Sequence, residues 1–150
     1  MHRNVLPSSD AVLNFIISSL FIKIAALRFE KGPMNTSGNE LPPELVERIE
    51  RARITQRAMR EKDPIFFAAV SGAMFKHDPI GINFQNNTDE YDTEAGTVIS
   101  RLPTCRSAED VLLVLHEEFQ TWFGSEGAGE IAAYRALGVE IWQLLESRDA

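Results

Sequence analysis

The chain of 150 residues holds a single cysteine, Cys105, so it forms no internal disulfide and has no cysteine cluster for zinc. It also lacks any sustained alternation of apolar and polar residues, which removes the signature of half-buried strands. No internal repeat is visible. Basic residues are scarce where acids are dense: Met1–Lys76 carries 11 Lys+Arg against 8 Asp+Glu, a net of +3, whereas His77–Ala150 carries 4 against 14, a net of −10. An acidic second half repels a phosphate backbone, which argues against nucleic acid as a partner. It suits a solvated surface or a basic protein partner.

What remains is helical patterning. The composition, with 44% hydrophobic residues and Phe outnumbering Tyr and Trp, is that of a globular domain packed on aromatic side chains. Pro42 and Pro43 fit a helix start. Leu45, Ile49, Ala52 and Met59 then recur at helical spacing to about Lys62, with Glu44, Glu47 and Glu50 early and Arg57, Arg60 and Lys62 late, as the helix dipole favours. The arginines of this helix alternate with Glu and lack aromatic neighbours, which marks a solvated face rather than a nucleic-acid stripe. Asp63-Pro64 ends that helix and opens a second, with a stripe of Ile65, Phe66, Ala69, Val70, Ala73, Met74 and Phe75. Gly72 inside it either weakens the helix or marks a close contact.

His77–Glu94, HDPIGINFQNNTDEYDTE, is the connection around which the two halves are arranged. Asp78-Pro79-Ile80-Gly81 has the residues of a type I turn. The Asp78 carboxylate can accept hydrogen bonds from the backbone of its own turn. Asp92 has the chemistry of an N-cap, before a helix with Ala95, Val98, Ile99 and Leu102 on one face. Pro103 ends it. Ser107-Ala108-Glu109-Asp110 is a second start signal, for a helix to about Phe123 that turns Leu112, Leu115, Phe119 and Trp122 inward. Gly124 is a stop, and Ile131, Tyr134, Leu137, Ile141 and Leu144 form the last stripe. The expectation is an all-α protein: a small bundle of about five helices over residues 44–147, a linker over 34–43, and a separate N-terminal apolar helix.

That N-terminal stretch, residues 1–33, is read in two ways. Asp10–Phe29 is apolar, but Asn14 and Lys23 interrupt it, and no small-residue cleavage site follows. It is either a buried or partner-covered helix, in which case a homodimer is compatible with it, or upstream sequence ahead of a start at Met34. No membrane association is expected unless this helix exists and is exposed.

Five carboxylates, Asp78, Asp89, Glu90, Asp92 and Glu94, are the candidate partner-binding residues. They lack the EF-hand pattern, because Tyr91 stands where an oxygen ligand belongs and no glycine sits at the turn. His116-Glu117-Glu118-Phe119-Gln120 resembles a zinc-protease helix with its second histidine replaced by Gln120. Gly127-Ala128-Gly129-Glu130-Ile131-Ala132 matches a dinucleotide fingerprint in letters, but a helix precedes it where a strand is required. The spacing of Gly124 and Gly129 is Walker-like, yet Glu130 stands where a phosphate-binding lysine belongs. Cys105 has no adjacent histidine to activate it. No catalytic residue, metal or cofactor is therefore assigned.

On Asp78-Pro79-Ile80-Gly81, Asp89-Glu90-Tyr91-Asp92 with Glu94, Val98-Ile99, and the helix ending Phe119-x-x-Trp122-Phe123-Gly124, residues 77–147 resemble the YugE-like domain, a bacterial family of small helical proteins without assigned function. The resemblance implies a compact bundle with the acidic loop between helices and carries over no catalytic residue. The expectation is a cytoplasmic, bacterial-type module that binds a protein, such as an immunity-like protein covering a basic surface. The alternatives are a metal-assisted enzyme that uses Asp89, Glu90 and Asp92 with His77 or His116, and a purely structural or interaction domain.

Overall fold

The computed structural model describes residues 42–83, 85 and 88–150. The expectations for the apolar Asp10–Phe29 segment and for a start at Met34 lie outside the described residues. Those described form five α-helices and two short 3-10 turns, with no strand among them: α1 (Pro43–Lys62), α2 (Pro64–His77), α3 (Asp92–Arg101), α4 (Ala108–Ala128) and α5 (Arg135–Asp149). Leu102–Thr104 and Ile131–Tyr134 are the 3-10 turns. The all-α expectation holds.

Local chemistry sets most of the boundaries. Pro43 opens α1, and the Pro42 carbonyl accepts from the amides of Leu45 and Val46. Asp63 closes α1 and caps α2 at once: its amide donates to the Met59 carbonyl, while its carboxylate accepts from the Phe66 amide at 3.0 Å. Pro64 at the first position of α2 loses no hydrogen bond, since that amide would be unpaired in any case. One residue thus joins the two helices.

Two expected positions along α2 change places. Ile65 is 83% exposed, and Phe67 is buried with Phe66, Val70, Ser71, Ala73 and Met74. Ile65, Gly72 and Lys76 follow one another at helical spacing on the outer flank, so the apolar stripe sits one residue further round than its first member implied. Gly72 has open space around it and marks no close contact.

The Ser107 hydroxyl caps α4 by accepting from the Asp110 amide at 3.2 Å, and the Asp110 carboxylate in turn accepts from the Arg106 amide at 2.7 Å. The helix breaks at Gly124 (φ 70°, ψ 173°), as expected of a stop, but a further turn carries the element to Ala128. Along the last stripe, Tyr134, Leu137 and Ile141 are buried as expected, while Leu145 rather than Leu144 completes it. Ile131 and Tyr134 belong to the 3-10 turn ahead of the helix, which shifts the phase of the pattern.

The centre of the core is aromatic. Phe119 lies 5.9 Å from Tyr91, 5.7 Å from Phe123 and 5.1 Å from Tyr134 between ring centroids, and all four rings are buried. Tilted and edge-on rings at these separations add to the stabilisation that burial alone gives. Around this centre α1 lies on α3, α5 lies on α4 and α2, and α3 touches α1, α2 and α4. No helix among the described residues is long and apolar enough to cross a membrane.

Candidate functional site

The connection from α2 to α3 is built on Asp78. This residue ends α2 in the left-handed conformation (φ 45°, ψ 58°), its amide donating to the Met74 carbonyl at 2.8 Å. Asp is one of the few residues that accept that conformation at modest cost. The turn expected at Asp78–Gly81 forms, with the Gly81 amide on the Asp78 carbonyl at 3.2 Å. The carboxylate, however, reaches past the turn. Its Oδ1 accepts from the amides of Ile82 (2.9 Å) and Asn83 (3.0 Å) and from the Tyr91 hydroxyl (2.6 Å). One side chain therefore fixes the start of the loop to its end. Tyr91 is fully buried, and burial together with the Asp78 carboxylate pushes its hydroxyl far above the usual phenol range. It remains a neutral hydrogen-bond donor.

Asp92 does not cap α3. Tyr91 occupies the cap position and Asp92 is the first helical residue. Its carboxylate accepts from the Ser71 hydroxyl at 2.5 Å and pairs with the Arg60 guanidinium. An acid in the first turn still complements the helix dipole. The same guanidinium lies 4.7 Å from the centroid of the Phe67 ring, so Arg60 is anchored to α2 and α3 together. Arg48 stacks on Trp122 at 5.2 Å, and the purely solvated arginine face expected of α1 is corrected at these two positions.

Of the five candidate partner-binding carboxylates, Asp78 and Asp92 are committed to internal bonds and Glu94 is fully buried. Glu90 is half-buried, and Asp89 is exposed. They do not form one acidic face. The reason is register: Asp92 and Glu94 sit two residues apart in the first turn of α3, which turns the first towards Ser71 and the second into the core.

The histidines lie elsewhere. His77 Nε2 is 2.5 Å from Glu140 Oε2, with Lys76 Nζ 2.6 Å from the other oxygen of that carboxylate. Hydrogen bonds from Lys76 and, less strongly, His77 hold the Glu140 carboxyl below the usual range. His116 Nε2 is 2.8 Å from the Gly129 carbonyl, and its half-buried ring meets Tyr134 edge-on at 5.5 Å. Tyr134 donates to the Ala128 carbonyl at 2.6 Å, so the glycine loop after α4 is a helix–helix turn pinned by two aromatic side chains. Among the described residues no three His, Cys, Asp or Glu side chains are grouped so as to hold a metal ion. Cys105 is half-buried, and burial raises its thiol pKa.

Sequence reasoning missed Arg60, Ser71 and Glu140 as partners of the charged loop residues. Each lies more than 20 positions from its partner, and no local pattern links them. Tyr91 had a local signal: a large aromatic amid four acids, at the cap position of a helix, has to find an interior.

No family model matches the chain, and comparison with curated proteins and with solved structures likewise gives no significant match.

Proposed function

We propose that this chain is a protein-binding or regulatory module, of the immunity-like kind, that engages a basic partner. The observation that supports it most is the distribution of charge. Residues 77–150 carry a net charge of −10, and Asp89, Glu126, Glu130 and Glu146 within them are exposed. Complementary charge accelerates association and selects partners more than it adds affinity. Within the acidic loop the contact falls to Asp89, because Asp78, Asp92 and Glu94 serve the fold. The resemblance to the YugE-like domain agrees with a compact helical module and adds no chemistry to it.

The metal-assisted alternative requires Asp89, Glu90 and Asp92 to converge with His77 or His116. His77 is turned to Glu140, His116 to Gly129, and Asp92 to Arg60 and Ser71. That arrangement favours binding over catalysis. The test is affinity purification of the full chain from its own cell at several salt concentrations, with Asp89→Lys as control. An abundant basic partner, lost at high salt and weakened by the substitution, supports the reading. A partner that is acidic, or whose retention ignores salt and charge reversal, refutes it.

A further inference from the structure

We propose that α1 is a releasable strap that leaves α3 as a unit, hinged at Asp63-Pro64, while α2–α5 stay folded. Three observations carry this. First, Ala52 is the one residue buried among the 20 of α1, whereas α2, with 14, buries six. Apolar burial is what makes an element open only with the whole domain, and α1 has little of it. Second, its seat on α3 includes a backbone notch. At Gly96 a side chain's first carbon would stand 2.5 Å from the Gln56 Cα and 3.0 Å from the Gln56 nitrogen, so α1 lies there against bare backbone. Third, its other anchors are the half-buried Leu45, Val46, Ile49 and Met59 and two cations at the margins: Arg60 on Asp92 and Phe67, and Arg48 on Trp122. Arg60 is half exposed and Arg48 exposed, and such contacts add less than buried apolar packing does.

None of the four rings of the aromatic centre comes from α1. Tyr91, Phe119, Phe123 and Tyr134 come from the α3 cap, α4 and the turn before α5. Opening of α1 uncovers Gly96 and the face of Phe67 that Arg60 covers, and leaves those rings in place. The single-residue connection at Asp63 is a short hinge, and Pro64 keeps the start of α2 fixed while the chain before it swings.

Native-state hydrogen exchange on the full chain tests this. Amides of α1 are expected to exchange at least tenfold faster than those of Leu115 and Ile141, with a dependence on low denaturant that is shared along α1 and shallower than that of global unfolding. Gly96→Ala is expected to speed exchange across α1 at least a further tenfold and to leave α4 and α5 protected. Acceleration of all five helices together, or α1 amides unchanged by the substitution, overturns the proposal. If Gly96→Ala does not fold, Arg60→Gln is measured in the same way. Acceleration confined to α1 supports the strap, and uniform or absent acceleration overturns it.

Discussion

Two helix pairs in this molecule meet over a glycine, and they use it differently. Where α3 crosses α1, a methyl group on Gly96 would sit 2.5 Å from the Gln56 Cα, a separation no packed pair of carbons tolerates. Where α5 crosses α4, a methyl on Gly138 would sit 3.4 Å from the Cα and Cβ of Leu112, close to ordinary contact. Both glycines are buried within helices. The first pair is close because a side chain is missing, and little else is buried there on the α1 side. The second pair also shares the interior packing of Leu112, Leu115, Leu137 and Ile141, so its glycine is a convenience rather than a condition. Identical residues in similar settings thus carry unequal weight, and the neighbour's backbone decides which.

The sharpest way to break this comparison is Gly96→Ala. The α1 backbone has to move, because the atom that clashes is a Cα and not the flexible end of a side chain. The expected loss is about 2 kcal/mol, in the range for overpacking a tight contact. It is read as a lower denaturation midpoint and as helical circular dichroism lost ahead of aromatic signals. An unchanged midpoint would show that the notch is loose.

The second effect concerns the link between the pairs. Tyr91 begins α3 and stacks on Phe119 of α4, and Asp78 holds its hydroxyl. Asp78→Ala leaves the buried phenol and two loop amides without this acceptor, a cost of about 2 kcal/mol by the penalty for unsatisfied polar groups. Tyr91→Phe removes donor and hydroxyl together and is expected to cost less. Equal losses in chemical denaturation would mean that Asp78 acts only through the Tyr91 hydroxyl, and not through the loop amides or its left-handed backbone, which Asp78→Asn preserves.

A smaller, pH-dependent effect reports how α2 holds α5. The Glu140 carboxyl lies below the usual carboxylate range in the folded state because Lys76 and His77 face it. A lowered folded pKa means that the unfolded chain binds the proton more readily, so this contribution is fully present above the unfolded pKa. It is lost as pH falls through the folded pKa. The stability difference between the protein and Glu140→Gln is therefore expected to shrink as pH falls below about 4, through the range where a free glutamate protonates. Measured by urea denaturation, a difference that grows on acidification would exclude this pairing as its source.

The helices, their start signals and the all-α class were legible because they depend on neighbours in sequence: Asp63 before Pro64, Ser107 before Asp110, Gly124 after Phe123. The stripe of α3 was legible for the same reason, and that of α4 as far as Phe119, beyond which Phe123 rather than Trp122 is buried. What was not legible was where each carboxylate of the acidic cluster points. Asp92 has the composition of a cap, but its carboxylate is claimed by Arg60 and Ser71, 32 and 21 residues away, and such distant claims leave no periodic trace. Gly96 was equally silent. A glycine within a helix reads as a weakness until the helix crossing it is known, whereas Gly72, which drew notice, has nothing near it.

The mildest substitutions sharpen the comparison from the other side. Gly72 is exposed on α2 with nothing within 4 Å of an added methyl, so Gly72→Ala is expected to stabilise the protein by about 0.5–1 kcal/mol through helix propensity alone. Gly138→Ala has the same propensity gain, offset by the few tenths of an ångström that Leu112 must yield, and is expected to be near neutral. Three alanine variants at three helical glycines should then rank Gly72 above Gly138 above Gly96 in thermal midpoint. The gap between the last two isolates the backbone approach of α1, since propensity is common to both. If Gly138→Ala proves as damaging as Gly96→Ala, the α4–α5 pair is as tightly gauged as α3–α1, and burial of neighbouring side chains does not buffer a crossing glycine.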